Sequence, residues 1–191
     1  MKRFFGWIAV MFIVTAFAGA LSAEEYIWEG FEGGVIWVPV EWENTGGAEL
    51  SKSSDQVSEG KNALKVDIIE ESEDWREKVG FSREDYLNLE GTKIIMDIYC
   101  PYPFGYSVSL GFDAGPEWTY YETPRIALSQ GWNKNITFDM TKDDFKCKAS
   151  DWQYNQKLED KNSVKKIHVL IYRPAKLEPQ VVYVDNIRLA K

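Results

Sequence analysis

From about residue 60 onward the chain is built of short segments in which apolar and polar side chains alternate with a period of two. Examples are Asn62–Ile68, Ile94–Ile98, Ser107–Phe112, Asn135–Met140 and Ile167–Ile171, each bounded by Gly, Pro, Asn or Asp. Successive side chains of a strand point to opposite faces. Each segment therefore has one face to bury and one to hydrate. Many such segments in a row are satisfied by two sheets packed face to face. An aromatic run at Tyr26–Phe31 and the stretch Val181–Leu189 read as the first and last strands. Weaker strands are expected at Glu49–Ser53, Trp75–Phe81 and Thr119–Thr123, for nine or ten in all, with one short helix within Lys142–Leu158. No βα rhythm runs through the chain, which argues against a parallel α/β sheet. The expected fold is all-β, a two-sheet antiparallel β-sandwich. In the last strand Val182 and Val184 have one parity and Ile187 and Leu189 the other. Both pairs belong in a core, so a β-bulge is expected at Asp185–Asn186.

The N-terminus has the composition of a cleavable export signal. Lys2 and Arg3 precede an apolar run from Phe4 to Leu21, followed by the small-residue sites Ala18-Gly19-Ala20 and Leu21-Ser22-Ala23. Cleavage after Ala23 is expected, leaving residues 24–191 as one domain that is secreted or periplasmic. An uncleaved anchor is the alternative, since about 18 apolar residues just span a bilayer. After cleavage no stable membrane insertion is expected. The formal net charge of −8 becomes more negative once Lys2 and Arg3 are removed. That balance argues against nucleic acid, whose binding requires a basic patch. Cys100 and Cys147 allow one disulfide in an exported chain, or two separate buried thiols. With one His and no C-x-x-C spacing, a metal-thiolate site is not expected.

Aromatic content points to a ligand. Beyond the leader stand Trp28, Trp37, Trp42, Trp75, Trp118, Trp132 and Trp152, with ten Tyr in the chain. Indole offers a large flat surface at small conformational-entropy cost. A pyranose ring presents flat C–H faces that stack on it, and polar side chains then bond the hydroxyls. Trp118, beside Gly115-Pro116, and Trp75, flanked by charge, are the first candidates for such platforms. Trp37 or Trp42 is a third. Arg76, Glu77, Tyr120, Glu122 and Arg125 are candidate hydroxyl partners. Trp132 reads as structural, and Trp152 as either.

Several motifs recur in a familiar order. Phe31-Glu32-Gly33-Gly34 opens the domain, and Ser58-Glu59-Gly60-Lys61-Asn62-Ala63-Leu64-Lys65-Val66 follows a loop. Gly131-Trp132 precedes a strand, and Val164–Val169 precedes Val182–Leu189. This order resembles the jelly-roll carbohydrate-binding modules attached to bacterial xylanases and mannanases. The mannan-binding group is closest, through Asp74-Trp75, Tyr99-Cys100-Pro101 and Gly115-Pro116-Glu117-Trp118. The resemblance implies a galactose-binding-like sandwich with a concave sugar face, with Trp75 and Trp118 at platform positions. It also implies a structural calcium ion. Glu32 and Asp185 would be its carboxylate ligands and the Gly60–Lys61 turn would add a backbone carbonyl. Calcium takes such mixed oxygen ligands.

Catalysis is not expected. Glycoside hydrolysis needs two carboxylates about 5 to 9.5 Å apart, and the compact E-x-D-x-x-E strand motif of sandwich glycosidases is missing. Glu117 with Glu122, and Asp143-Asp144, read as solvated faces or helix starts. His168 lies mid-strand with no G-x-S-x-G segment to serve. The expected function is binding of a polysaccharide, β-mannan or a similar β-glycan. A structural cell-envelope or filament protein, with self-association through the same fold, is the alternative of a different class. A divergent glycosidase or lyase is the third.

Overall fold

The computed structural model describes residues 24–69, 76–174 and 180–191. The expected leader (1–23) and Trp75 lie outside the described residues. Among the described residues the strands are β1 (Glu25–Glu29), β2 (Val38–Pro39), β3 (Thr45–Ser53), β4 (Ala63–Ile69), β5 (Lys78–Leu87) and β6 (Lys93–Cys100). They continue as β7 (Ser107–Ala114), β8 (Thr119–Glu122), β9 (Ile126–Ala127), β10 (Gly131–Asp139), β11 (Val164–Tyr172) and β12 (Gln180–Ala190). No helix of the described residues is long and apolar enough to cross a membrane.

The strands form a sandwich. One sheet runs β10-β6-β12-β4-β3 with β1 added to β12; the other runs β5-β11-β7-β8 with β2 on β5 and β9 on β7. β3 joins the two. It pairs antiparallel with β4 and, at Thr45–Gly46, parallel with Lys78–Val79 of β5. That short parallel pairing departs from the antiparallel expectation; it arises where one strand passes from the first sheet to the second.

The alternation sorts the side chains as the period of two requires. Leu64, Val66 and Ile68 of β4, Ile94, Met96 and Ile98 of β6, and Val182 and Val184 of β12 enter one core with residues of the second sheet. From that sheet come Val79 and Phe81 of β5, Val108, Leu110 and Phe112 of β7, and Ile167, Val169 and Ile171 of β11. Full burial of each such side chain is worth about 1.5–3 kcal/mol. The opposite parity of the second sheet is largely polar or small. Register aligns Ser82, His168, Gly111 and Glu122 in one row, and Lys78, Tyr172 and Ser107 in another. This outward face carries the candidate site.

In β12 the register against β6 shifts between Asp185 and Arg188, and Asn186 has a left-handed φ of 52°. The bulge lets Val184 and Ile187 both reach the core despite their opposite parity. One sequence expectation is corrected, and one left open is decided. The helix within Lys142–Leu158 is a single 3-10 turn, Lys148–Ser150, whose segment is held instead by bridges at Lys146 and Phe145. Cys100 and Cys147 are separate buried thiols. Cys100 ends β6 of the first sheet, with its Sγ 3.8 Å from the Tyr102 carbonyl, while Cys147 follows the bridge to β8 of the second. Burial raises the Cys100 thiol pKa, opposed in smaller part by a hydrogen bond with the Tyr102 backbone. The folded protein is expected to resist a thiol reagent and to react at both cysteines once unfolded, with a melting temperature indifferent to reductant. A melting point lowered by reductant would mean that the sulfurs are bonded.

Candidate functional site

A cleft of about 520 Å³ lies on the outward face of the second sheet. Its walls are Trp42 and Trp152, and Tyr120, Glu122, Asp113 and Lys146 line it with Asn44 and Lys78. A depression of about 380 Å³ continues it. Asn44, Lys78 and Lys146 are common to both, and Arg76, Glu77, Arg125 and Tyr172 line the continuation. Together they make one groove.

Trp42 is held by a closed turn. Its backbone N–H donates to Thr45 Oγ1 at 3.0 Å, and the Thr45 N–H donates back to the Trp42 carbonyl at 3.0 Å. The indole packs on His168 at 4.9 Å and edge-on to Tyr120 at 5.3 Å between centroids. Trp152 stands on the opposite side, 52% exposed and 6.3 Å from the Tyr120 ring. It follows Asp151, and both have left-handed φ, 48° and 61°. Such backbone is uncommon in non-glycine residues and concentrates at binding sites. Gly111 lies under Tyr120: a Cβ there would come 2.8 Å from the phenol, so glycine lets the ring lie across the sheet.

Beneath these rings Glu122 is only 2% exposed. Its Oε1 accepts from the Tyr172 hydroxyl at 2.6 Å, from Lys146 Nζ at 2.9 Å and from Ser109 Oγ at 3.3 Å; its Oε2 accepts from the Tyr120 hydroxyl at 3.0 Å. Burial by itself would raise this carboxyl. The hydrogen bonds from Tyr172 and Lys146 and the charges of Lys146 and Lys78 outweigh it and leave the pKa lowered. Burial, then the Glu122 charge, raises both phenols, so both stay protonated donors. Beside them His168 Nε2 meets Asp113 Oδ2 at 2.9 Å, while its buried Nδ1 has no partner among the described residues.

The sequence candidates are not all brought together. Trp42, Tyr120, Glu122, Arg76, Glu77 and Arg125 line the groove. Arg125 lies 3.5 Å over the Tyr172 ring and ion-pairs with Glu77 at 2.5 Å, and Arg76 Nε donates to the Glu43 carbonyl. Glu122, expected either as a hydroxyl partner or on a solvated face, is neither: its carboxylate is buried and fully engaged. Trp37 is a correction as well. At 3% exposure it is a core residue, edge-on to Phe81 at 5.4 Å with its Nε1 donating to Glu29. Trp118 is 44% exposed at the β7–β8 turn with Lys165 Nζ 4.9 Å from its ring, but it lines neither part of the groove. Trp132 packs edge-on to Tyr99. Asn44, Lys78, Asp113 and Lys146 were not anticipated. Their one sequence signal is parity: Lys78 and Asp113 alternate with the core residues Val79 and Phe112.

Glu32 and Asp185 meet one loop, 58–62. Glu32 accepts from the backbone N–H groups of Lys61 and Asn62 and from the Asn62 amide. Asp185 accepts from the N–H groups of Ser58, Glu59 and Asn186 and from the Ser58 hydroxyl. All four carboxylate oxygens thus face donors. Among the described residues no group of three or more His, Cys, Asp or Glu side chains gathers around a metal position.

No family model matches the sequence, and no curated protein matches it. Solved structures do. The family 11 carbohydrate-binding module of the cellulosomal cellulase Lic26A-Cel5E of Clostridium thermocellum aligns with a TM-score of 0.60 at 18% identity, covering 88% of this chain and 95% of that one. The Clostridium thermocellum module in complex with a β-1,3-1,4-mixed-linked tetrasaccharide gives 0.60 at 18%, over 89% and 96%. A family 28 module specific for non-crystalline cellulose gives 0.57 at 14%, over 84% and 91%. At these identities the likeness establishes the fold.

Glu122→Gln is expected to lower stability by about 3 kcal/mol, since it removes one partner of a buried ion pair. The wild type should also lose stability as pH falls below the ordinary carboxylate range. A carboxyl whose folded pKa lies below its unfolded value stabilises only while ionised. Unfolding curves between about pH 3 and 7 test this. Equal acid sensitivity in wild type and variant would contradict the role given to Glu122.

Proposed function

We propose that this protein is an exported, non-catalytic carbohydrate-binding module whose groove takes a β-linked polysaccharide, with β-mannan as the expected backbone class. The observation that carries the reading is the row Trp42–Tyr120–Trp152: three aromatic rings along one cleft, over a polar floor. Stacking surfaces beside fixed hydrogen-bonding groups are what a pyranose chain requires. Support comes from the shared fold with modules described as binding a mixed-linked tetrasaccharide or non-crystalline cellulose. The state of the acids favours binding over hydrolysis. Glu122 is ionised and engaged by four donors, and Asp113 is paired with His168, so neither is placed as a proton donor to a glycosidic oxygen. Export rests on the Lys2-Arg3 start, the Phe4–Leu21 run and the small residues before Glu24.

Calcium at Glu32, Lys61 and Asp185 belongs to the same proposal. Two carboxylates converging on one loop favour it. The loop, however, turns N–H groups toward them, so an ion would need the Lys61 carbonyl to rotate inward and would replace some of these bonds. Added calcium is then expected to raise the melting temperature of chelator-treated protein by several degrees, as binding to the folded state alone requires. An unchanged melting curve would leave the amide cradle as the whole tie.

Affinity electrophoresis against a panel of soluble glycans tests the groove. Trp42→Ala and Trp152→Ala should each weaken retention about tenfold or more, the loss typical of a central aromatic anchor, and Trp118→Ala should not. Retention that depends on Trp118 and ignores the other two would move the site off this face. No retention by any glycan, with concentration-dependent self-association, would favour the structural alternative.

A further inference from the structure

Direct contacts along the groove leave one ammonium without a partner among the described residues, although the protein as a whole is acidic, with a formal net charge of −8. Each acid has a direct partner: Glu77 meets Arg125, Glu122 meets Lys146 and Asp113 meets the His168 ring. Lys78 remains. It begins β5, points to the outward face, and lines both the cleft and its continuation. Its Nζ lies 5.2 Å from the Trp42 ring centroid and 6.0 Å from that of Tyr172, and among the described residues it makes no ion pair. The residue is half-buried, and desolvation lowers its pKa. The two rings attract the ammonium and the Glu122 charge favours it at longer range, but among the described residues its N–H donors meet no acceptor, and a partly desolvated donor gains from one. The other cations of the groove are engaged: Arg125 by Glu77, Lys146 by Glu122, and Arg76 through its Nε on the Glu43 carbonyl.

We propose that the sugar bound over Lys78 carries a carboxylate, so that the ligand is a β-linked polyuronate chain or a chain with uronate residues. The inference rests on the carbohydrate reading of the groove. A neutral hydroxyl would give the Lys78 ammonium an ordinary hydrogen bond, whereas a C6 carboxylate gives a charge-assisted one, about twice as strong. The position suits it: Lys78 sits where cleft and continuation meet, so a chain stacked against Trp42 and Trp152 passes over it.

Two probes differ only in this group. β-1,4-mannohexaose has a C6 hydroxymethyl on every ring, and β-1,4-hexamannuronate has a carboxylate there. Calorimetry on the full chain should show the uronate hexamer bound about tenfold or more tightly than the neutral one, the ratio falling as salt is raised. Lys78→Gln should collapse the ratio towards one, and Lys78→Arg should keep most of it. Equal or weaker binding of the uronate hexamer overturns the proposal, as does an undiminished ratio in a folded Lys78→Gln protein. Binding of neither hexamer also overturns it, while retention of some other neutral glycan on the panel, lost with Trp42 and Trp152, would leave the carbohydrate reading standing.

Discussion

A carboxylate buried to 2% exposure cannot remain ionised without donors on every side. Meeting that requirement for Glu122 organises the floor of the groove. Its donors come from four places: Tyr120 on the same strand, Tyr172 on β11, Ser109 on β7, and Lys146 from the segment beyond β10. One side chain thereby fixes the position of two phenols, one ammonium and, through the Glu122–Lys146 bridge, the segment that carries Trp152. The polarity is fixed as well. Both hydroxyl protons point at Glu122, so each phenol oxygen has only lone pairs left to offer a ligand. Donors facing the groove must then come from Lys78, Lys146, Arg125 and Asn44.

Two further carboxyl groups, Asp185 buried and Glu32 exposed, work on the opposite sheet. Asp185 is fully buried, and Glu32 lies at the loop that follows β1, yet both bind loop 58–62. The first strand's exit, the β3–β4 loop and the last strand are thus tied at one place. Gly60 sits within that loop at φ 73°, and a Cβ there would run into Glu32 Oε1, so both its backbone and its lack of a side chain are needed. The burial of Asp185 raises its pKa, opposed by the N–H donors of Glu59, Ser58 and Asn186. The first sheet carries the ties that close the chain, and the second carries the groove.

The fold was legible in the sequence because period two is a direct consequence of strand geometry. Every strong alternating segment is a strand, and the parity conflict in β12 located its bulge. Segment 142–158 was expected to hold a short helix, but beyond one 3-10 turn its conformation is set by tertiary bridges at Lys146 and Phe145, which local sequence does not show. The groove was only partly legible. Arg76, Glu77 and Arg125 stood out as charges near aromatics, but sequence carries no information on which indole turns inward. Trp37 and Trp42 are five positions apart in one loop region; the first packs on Phe81 in the core and the second on His168 outside it. Cys100 and Cys147 pose the same problem, since pairing depends on which sheet each belongs to. Lys78 and Asp113 were hidden for a different reason. Each looks like an ordinary solvated strand residue until strand order places the two on one face.

The overall charge of the protein sharpens the reading of that face. An acidic surface repels a polyanionic chain at distances up to about a Debye length, roughly 8 Å in physiological salt. Long-range steering would thus work against a uronate polymer, and its capture would depend on contacts made inside the groove. There a short-range attraction can outweigh the diffuse repulsion, because Lys78 lies against low-dielectric aromatic walls where screening is weak. Such a site is slow to load and discriminating once loaded. A neutral glucan or mannan would feel neither force. Lys78 would offer such a chain only an ordinary hydrogen bond, and the charge-assisted contact would go unused.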